Sequence, residues 1–403
     1  MKRYVFLTYT IKDVGGGQLY VATKSTFLKD NGWDVKIIYV SPGDLIIKDF
    51  LLFETMENHR LLEPACYYFA NKRERILKQI VDFVGNDCDE VVIESHSDFM
   101  ATWGEMMASE LNARHLLYLI AEKLEIRPWL LDFIKFKYER KELASITKDS
   151  VSRLLANSNI ELTHGSPFLP ANGAGNCVQD VDYSIPFDTS IYTIGLVGRM
   201  EKEYMRDTTG EICSFLKEHE NTQFNIVYIG GGPQGSGIIE HIREQYQDSV
   251  NVNLFFIGYV FPLPKCLIKE FDFCIAGAGA ATAITWEGVP TIIIDPRSLK
   301  SDGVLSVTAK HSIWASDNGK SLGYWMEEVF ANRDKYLPQA KRGQRDWTAH
   351  MDFIENGSKE MEYNLSFLKY RSCSLLGIKL AKLLLPKSFF YRFSKVTSKL
   401  RKK

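Results

Sequence analysis

A run of small residues, Ala276–Ala280, separates an apolar segment from a helical pattern in the second half of the chain. The candidate ligand-binding positions in and after this run are Gly277, Ala278, Gly279, Ala280 and Ala281. The apolar segment, Phe271–Ile275, suits a buried parallel strand, and we expect a helix to begin at Ala281 and to end near Gly288. A strand, a glycine turn and a helix N-terminus together form an anion site, because the unpaired N–H groups and the positive end of the helix dipole point the same way.

Glu287 adds a carboxylate to the same segment. In a helix that starts at Ala281 it would lie about two turns along, within reach of a ligand held over the helix start. Val289 and Pro290 then lead into a second buried strand, Thr291–Asp295. The alternative is a strand–helix–strand unit whose only task is packing.

Three consecutive glycines mark a second candidate site near the N-terminus. Gly15, Gly16 and Gly17 follow a predicted strand, Tyr4–Thr8, and open a helical pattern that leads to the next strand, Val35–Val40. Open α/β sheets bind ligands at the carboxyl ends of such strands. The loop is not GxGxxG and no acidic residue closes the second strand, which argues against a dinucleotide site. A flexible turn is the alternative.

Two further polar residues follow predicted strands. His96 comes after Glu90–Glu94, and Glu122 comes after His115–Ile120. Side chains at these strand ends lie where sites form in α/β proteins. The alternative for each is a polar side chain that is satisfied at the surface.

Length and composition restrict the class of protein. A chain of 403 residues is long enough for two or more domains, and its 45% hydrophobic and 25% charged residues are ordinary for a globular protein. The formal net charge of -1 argues against a nucleic-acid partner. The seven cysteines contain no CxxC pair, which indicates free thiols in a reducing compartment and no metal site. Without a signal-peptide pattern or a spanning apolar run, we predict a cytoplasmic protein.

Strands and helices alternate in both halves of the chain. In the second half the predicted strands are Tyr192–Val197, Phe224–Ile229 and Val252–Ile257, and a passage rich in proline, glycine and asparagine precedes them. This alternation is typical of parallel sheets, and the passage is typical of a linker. The sequence therefore predicts an α/β protein with two Rossmann-like parallel-sheet domains facing a cleft. We place the domains at 1–183 and 184–360, with a basic amphipathic segment at 361–403.

Five segments carry a family resemblance. They are GGGQLYVATKSTFLKDNGWDVKIIY, IGLVGRMEKEYMRD, FNIVYIGGGP, FIGYV and ATAITWEGVPTIIID. Their order and content resemble the glycosyltransferases of the GT-B fold, and glycosyltransferase family 4 in particular. The resemblance covers roughly residues 1–300.

The resemblance implies roles for single residues. Arg199 matches the arginine that contacts the donor diphosphate, a role that suits the fixed donors and permanent charge of a guanidinium. Lys202 and Arg206 both lie near the position of the family's lysine. Glu287 matches the second glutamate of an E-x7-E motif and would bond the nucleotide ribose, whereas Gly279 occupies the position of the first glutamate.

The same resemblance defines the donor site and its chemistry. It places Gly198, Gly231 and Tyr259 in donor-binding loops, with Tyr259 beside the base, and Gly15–Gly17 near the phosphates or the acceptor. His96 and Glu122 are catalytic candidates on the acceptor side. It implies transfer of a sugar from a nucleotide-sugar donor to an acceptor hydroxyl, with retention, without a metal and with no cofactor besides the substrate.

The C-terminal residues suggest a membrane surface. From Tyr363 to Lys403 there are eleven lysines and arginines, no aspartate or glutamate, and interleaved apolar groups. This pattern is typical of a segment that lies on anionic lipid. It would suit a peripheral enzyme at the inner face of the membrane that acts on a glycan or lipid-linked acceptor, as in bacterial-type surface polysaccharide or glycolipid assembly. The alternative is a terminal helix that packs on the first domain. The aromatic and basic pattern at 129–141 allows the same two interpretations.

Two other functions remain open for this sequence. A non-catalytic GT-B-like protein that binds nucleotides or glycans would explain Gly279 in place of a glutamate. A nucleotide-sugar hydrolysing epimerase would need acids and histidines together, for which His96, Asp98 and Glu122 are the candidates. A nicotinamide oxidoreductase fits worst, because the dinucleotide fingerprint is missing.

Overall fold

The structure is a computed structural model that describes most of residues 1–384. The residues outside the description are 13, 121–126, 147–150, 152–154, 156–159, 162, 164, 166–168, 170–176, 201, 232–234, 340–345, 357, 359, 371–372 and 385–403. The chain forms two compact units, one built from Met1–Ala171 with Asp346–Lys403 and the other from Asn172–Arg345. The first unit thus combines the N-terminal part of the sequence with a later segment, whereas the sequence suggested a boundary at 183 and a separate segment from 361.

The strands and helices follow one another in the predicted alternation. The strands are β1 (Lys2–Thr8), β2 (Trp33–Tyr39), β3 (Glu54–Glu57), β4 (Glu90–Ser95), β5 (Arg114–Leu119), β6 (Leu143–Ser145), β7 (Val178–Gln179), β8 (Tyr192–Val197), β9 (Phe224–Ile229), β10 (Val252–Gly258), β11 (Leu263–Pro264), β12 (Phe273–Ala276) and β13 (Thr291–Ile293). The α-helices are α1 (Gly16–Asp30), α2 (Ala70–Val84), α3 (Asp98–Leu111), α4 (Leu131–Glu139), α5 (Glu203–Asp207), α6 (Thr209–Glu218), α7 (Gly235–Gln245), α8 (Lys265–Lys269), α9 (Ala278–Trp286), α10 (Leu322–Ala331), α11 (Thr348–Asn356) and α12 (Cys373–Leu384). Short 3₁₀ turns lie at Lys48–Leu52, His59–Leu62, Ala65–Tyr67, Pro128–Leu130, Arg333–Tyr336 and Ser366–Leu368.

Each unit is built on a parallel sheet. In the first unit the strand order is β3-β2-β1-β4-β5-β6, and in the second it is β10-β9-β8-β12-β13. The central strands are buried along almost their whole length, because helices cover both faces of a parallel sheet. Two Rossmann-like sheets were predicted, and both are confirmed.

Helix α4 is an ordinary amphipathic helix of the first unit. Its residues Phe133, Ile134 and Tyr138 are buried in the unit's core. Lys137 is buried too, and its ammonium lies 2.7 Å from the Glu105 carboxylate and 2.9 Å from that of Glu142. This packing supports the alternative of an ordinary amphipathic helix, because its buried apolar side chains and Lys137 have partners inside the unit.

A buried network around Glu105 joins α3, α4 and β5. The Nδ1 atom of His115 lies 2.7 Å from Glu105, and its Nε2 atom lies 2.8 Å from the Ser95 hydroxyl. Burial lowers the pKa of His115, and the nearby Lys137 ammonium acts in the same direction, so the ring stays neutral. His115 is therefore a packed core histidine.

The same network holds the returning C-terminal chain. The backbone N–H of Asn364 donates to Glu105 at 2.8 Å, and the Arg140 guanidinium lies 3.0 Å from Glu362. Phe367 and Leu375 are buried in the core of the first unit. Residues from 361 up to at least Leu375 are therefore part of this unit, which was the alternative for this segment.

The network around Glu105 fits only because Gly104 has no side chain. A Cβ atom at this position would lie 2.4 Å from both the Ser95 hydroxyl and the His115 Nε2 atom. We therefore expect Gly104→Ala to lower the free energy of unfolding by about 1 to 3 kcal/mol, measured by urea denaturation. The clash outweighs the small gain that alanine normally brings to a helix.

The matched control is Gly377→Ala in α12, a helix of the same unit. A Cβ atom there meets no atom within 4 Å, so this variant should be neutral or slightly more stable. Equal effects of the two substitutions would contradict the steric explanation.

Candidate functional site

The strand order of the second unit's sheet reverses between β8 and β12. Strand β8 pairs with β9 on one side and with β12 on the other, so the chain leaves the two central strands toward opposite flanks of the sheet. In open α/β sheets ligands bind at such a switch point, outside the carboxyl ends of the strands. Val197 pairs with Ala276, so Gly198-Arg199 and Gly277-Ala278 leave the sheet side by side.

Helix α9 begins at this point, three residues before its predicted start. Gly277 is its N-cap and makes no side-chain bond to the helix, and no acidic residue lies in the first turn. The N–H of Ala278 donates to the carbonyl of Ser312 at 2.6 Å. The following N–H groups have no intrahelical acceptor, as at every helix start. Ala278 also holds a φ of 56°, a left-handed conformation that non-glycine residues adopt mainly at turns and ligand sites.

Glycines hold the neighbouring loops together at the same edge. The N–H of Gly198 donates to Ile229 at 3.0 Å, and that of Gly230 donates to Gly258 at 2.8 Å. A Cβ atom at Gly230 would lie 1.7 Å from the Gly198 carbonyl oxygen, and one at Gly231 would lie 2.9 Å from Tyr259. The predicted donor residues Gly198, Gly231 and Tyr259 therefore share one edge of the sheet with the start of α9.

Cationic side chains follow β8 at this edge. Arg199 is exposed, and its carbonyl accepts the N–H of Lys202 at 3.0 Å in the turn before α5. Arg206 is exposed as well, and its Nε atom lies 2.5 Å from the carboxylate of Asp207. The structure thus brings Arg199 and Lys202 to the switch point, whereas Arg206 stands one turn into α5 beside an acid.

Glu287 lies farther from the start of α9 than the sequence predicted. It is the C-cap of the helix, so roughly 13 Å of helix rise separates it from Ala278. Its side chain is 10% exposed, and the carboxylate lies 3.2 Å from the ammonium of Lys265. The earlier helix start corrects the expected geometry, and a contact from Glu287 to a ligand over the helix start has no support.

The first unit has a switch point of its own, between β1 and β4. Gly15 is the N-cap of α1, and Gly16 and Gly17 form its first turn without an acidic residue. Leu7 pairs with Ser95, so the glycine loop and His96 leave the sheet at the same edge. Glu122 lies outside the described residues.

His96 is a buried residue with a partner on each ring nitrogen. It is 3% exposed, its Nε2 atom lies 2.8 Å from Glu94, and its Nδ1 atom lies 3.1 Å from the Thr8 hydroxyl. The carboxylate fixes the tautomer by accepting the Nε2 proton, so Nδ1 accepts from Thr8. The ring is therefore aligned under the loop and is shielded from solvent.

A buried pair of charges lies beneath this histidine. The ammonium of Lys24 and the carboxylate of Glu94 are 2.5 Å apart, and the Tyr4 and Tyr20 hydroxyls donate to the carboxylate at 2.5 and 2.7 Å. Lys24 also donates to these two hydroxyls, at 2.9 and 3.0 Å. Every donor of the ammonium is thus satisfied, and Glu94 accepts four bonds.

The charges of this pair are stable at neutral pH. Burial alone would raise the pKa of Glu94, but the Lys24 ammonium and the bond from His96 outweigh it and hold the pKa well below its usual range. Burial lowers the pKa of Lys24, and Glu94 opposes that change. The pair is an internal ion pair of the fold, and its residues have no open face toward a ligand.

Comparison with known proteins identifies the fold. No protein-family model and no curated protein matches the chain. A solved glycosyltransferase from Rickettsia africae ESF-5 is 13% identical, with 96% of this chain and 99% of that chain covered and a TM-score of 0.59. Alr3699/HepE of Anabaena in complex with UDP is 11% identical over 95% of this chain and 99% of its own, with a TM-score of 0.55. The chain has the GT-B fold.

A third structure with this fold has a different activity. A UDP-N-acetylglucosamine 2-epimerase is 14% identical, with 88% of this chain and 95% of that chain covered and a TM-score of 0.50. Identities this low establish a fold and leave activity to be argued from the site. The family 4 assignment stays a prediction.

The sequence predicted the strand ends at which the glycine loops lie, but it did not predict the ion pair of Lys24 and Glu94. Lys24 and Glu94 are 70 positions apart and stand in apolar segments, so neither carries a local signal. The sequence offers only one indication, a charged residue within each otherwise buried element. Such residues are rare in cores unless they are paired.

Removal of one partner tests the ion pair. Lys24→Met should lower the free energy of unfolding at pH 7 by about 3 to 5 kcal/mol, because Glu94 stays buried without its cation. In the native protein the low pKa of Glu94 gives stability that is present above the unfolded carboxylate pKa and is lost as pH falls. In the variant burial raises that pKa, so protonation relieves the strain, and the deficit shrinks as pH falls from 7 to 4. Urea denaturation at both pH values measures it.

The double variant Lys24→Met with Glu94→Gln is the control, and it should recover part of the loss at pH 7. A deficit that is the same at both pH values would contradict the assignment of Glu94 as the ionised partner.

Proposed function

We propose that this protein is a glycosyltransferase that moves a sugar from a nucleoside-diphosphate sugar to an acceptor hydroxyl. One observation carries the proposal: at the switch point of the second unit, Arg199 leaves the sheet beside the N-terminus of α9, which has no side-chain cap. A guanidinium and the N–H groups of a helix start both bind phosphate oxygens, so together they suit a diphosphate. The same fold in a glycosyltransferase and in the UDP complex of HepE supports this choice of ligand.

The reaction needs stabilisation of the leaving group. The acceptor oxygen forms a bond to the anomeric carbon while the bond from that carbon to the diphosphate breaks, and the electron pair goes to the phosphate oxygen. Arg199, Lys202 and the N–H groups that open α9 oppose the charge that develops there. Arg206 contributes a more distant positive charge, partly balanced by Asp207.

The finer features of the proposal come from the family resemblance. Retention of configuration lets the departing phosphate oxygen take the proton of the acceptor hydroxyl, so no side-chain base is required. Arginine, lysine and helix N–H groups stabilise the negative charge on the leaving diphosphate, so no divalent cation is required for this task. Buried His96 then has a positioning task, because it orients Thr8 under the glycine loop of the first unit.

Nucleotide titration tests the donor site. We expect UDP, from a calorimetric panel of nucleoside diphosphates, to bind with micromolar affinity, and Arg199→Ala to weaken binding at least about tenfold through loss of a charge-assisted bond. Arg243→Ala is the matched control, since Arg243 lies in the last turn of α7, at the other edge of the sheet. Glu287→Ala should also bind normally. A folded protein that binds no nucleotide would refute the transferase and favour a non-catalytic relative.

An epimerase is the second candidate, favoured by the likeness to UDP-N-acetylglucosamine 2-epimerase. Asp98 is the acid that this candidate would use, and burial at the start of α3 raises the pKa of its carboxyl. Turnover of a nucleotide sugar without any acceptor distinguishes this candidate. A transferase releases little diphosphate until an acceptor is added.

We also propose that the transferase works at an anionic membrane surface. Leu376 and Leu380 lie one turn apart on α12 and are 54% and 43% exposed, beside Lys379. An apolar stripe with adjacent basic charge is the pattern of an interfacial helix. Within the part of the chain that the structure describes, no helix has the length and hydropathy to cross a bilayer. Binding would therefore be peripheral, and it would suit a lipid-linked acceptor.

Vesicle flotation tests the membrane proposal. The protein should float with vesicles that contain phosphatidylserine, should bind less as salt rises, and should be released by Leu376→Glu with Leu380→Glu. The matched control is Leu51→Glu with Leu52→Glu, two exposed leucines of the Lys48–Leu52 turn in the same unit. Equal release by both pairs, or equal binding to neutral vesicles, would contradict a specific role for α12.

A further inference from the structure

A second arginine stands on the other side of the α9 N-terminus. Strand β13 pairs with β12 so that Ile293 lies opposite Ala276, and the chain then runs through Ile294 and Asp295 to Arg297. The Ile294 carbonyl oxygen is 3.8 Å from the position of a Cβ atom at Gly277. The loop that carries Arg297 therefore leaves the sheet directly beside the helix start, on the flank opposite Arg199.

Arg297 is held in place by an aromatic ring. Its guanidinium carbon lies 4.0 Å from the centroid of the Trp314 ring, and this ring is buried. Trp314 is two residues beyond Ser312, whose carbonyl caps the first N–H of α9. The ring and the helix start are thus connected through one short, hydrogen-bonded segment, which fixes the position of the cation relative to the helix.

The acid nearest to Arg297 in the sequence, Asp295, is hydrogen-bonded to the backbone. The carboxylate of Asp295 accepts the N–H of Arg297 at 2.9 Å and that of Ala315 at 3.4 Å, which ties the two loops together. The Nε atom of Arg297 forms an ion pair with this carboxylate at 3.6 Å, a separation beyond hydrogen-bond distance. Among the described residues the guanidinium makes no closer polar contact, and its side chain is 39% exposed. The guanidinium is therefore oriented by Trp314 and Asp295 and is still accessible to a ligand.

The charges around the helix start favour an anionic partner at this position. A guanidinium only donates hydrogen bonds, and it matches a carboxylate with two parallel bonds. The hydroxyls of a neutral sugar would also seek acceptors, but the first turn of α9 has no acidic residue and Asp295 is buried. A ligand with a carboxylate beside its diphosphate fits the arrangement better than a neutral one.

We propose that Arg297, stacked on Trp314, binds a carboxylate of the donor sugar and makes this enzyme selective for acidic sugars. The inference rests on the proposed glycosyltransferase function, because it places the sugar of a nucleoside-diphosphate sugar over the start of α9. Since stacking has already ordered the side chain, little conformational entropy is lost when it binds. The selectivity depends on the two parallel hydrogen bonds that a planar guanidinium donates, so lysine cannot fully replace Arg297.

Calorimetric titration with matched donors tests this. UDP-glucuronate and UDP-glucose differ only in the carboxylate, and we expect the native protein to bind the first about tenfold more tightly. Arg297→Gln should abolish this ratio, Arg297→Lys should keep part of it, and Arg243→Gln should leave it unchanged. UDP-galacturonate and UDP-galactose form a second pair that covers the other configuration at C4.

The outcomes separate the inference from the proposed function. If UDP binds and neither acidic sugar is preferred, the selectivity is refuted while the donor site stands. If Arg297→Gln weakens UDP and both sugars by the same factor, Arg297 contacts the phosphates, and the carboxylate assignment is refuted. If no nucleotide binds the folded native protein, both proposals fall together.

Discussion

Parallel pairing in register is the constraint on which both units depend. Neighbouring strands that end at the same register release their loops at the same edge, and only side chains near that edge can act together. In the first unit the pairing of Leu7 with Ser95 brings the glycine loop above His96. In the second, the pairing of Val197 with Ala276 brings a cationic loop beside a helix start. A slip of one residue in either pair would point these side chains to the opposite face of the sheet.

Charged side chains are arranged differently at the two sheet edges. In the first unit Lys24 and Glu94 neutralise each other inside the fold. The ammonium donates to Glu94 and to two tyrosine hydroxyls, and the carboxylate also accepts from the tyrosines and from His96. In the second unit the positive groups are Arg199, Lys202 and Arg297, and they stand at or near the surface around the start of α9. Positive charge near the surface attracts an anionic ligand more strongly than a neutralised interior pair does. This contrast supports the proposed placement of the donor site in the second unit.

Much of the fold could be predicted because each strand is short, apolar and bounded by glycine. Tyr192–Val197 and Phe224–Ile229 have the predicted bounds, and the loops after them carry the predicted glycines. Helix α9 was misplaced by three residues, since its first turn is made of alanine and glycine and carries no side-chain cap. That shift lengthened the distance between the helix start and Glu287 by almost one turn. Arg297 was missed because its place depends on the stacking ring of Trp314, and the pairing of distant residues has no signature in a single sequence.

The course of the chain has a consequence for synthesis on the ribosome. The first unit receives Asn364, Phe367 and Leu375 from the end of the chain, whereas the second unit is one continuous stretch from Asn172 to Arg345. The second unit can therefore complete its core before residues 364–375 have been made. The first unit keeps part of its apolar interior uncovered until those residues have left the ribosome. During that interval it is the half of the nascent protein that needs a chaperone.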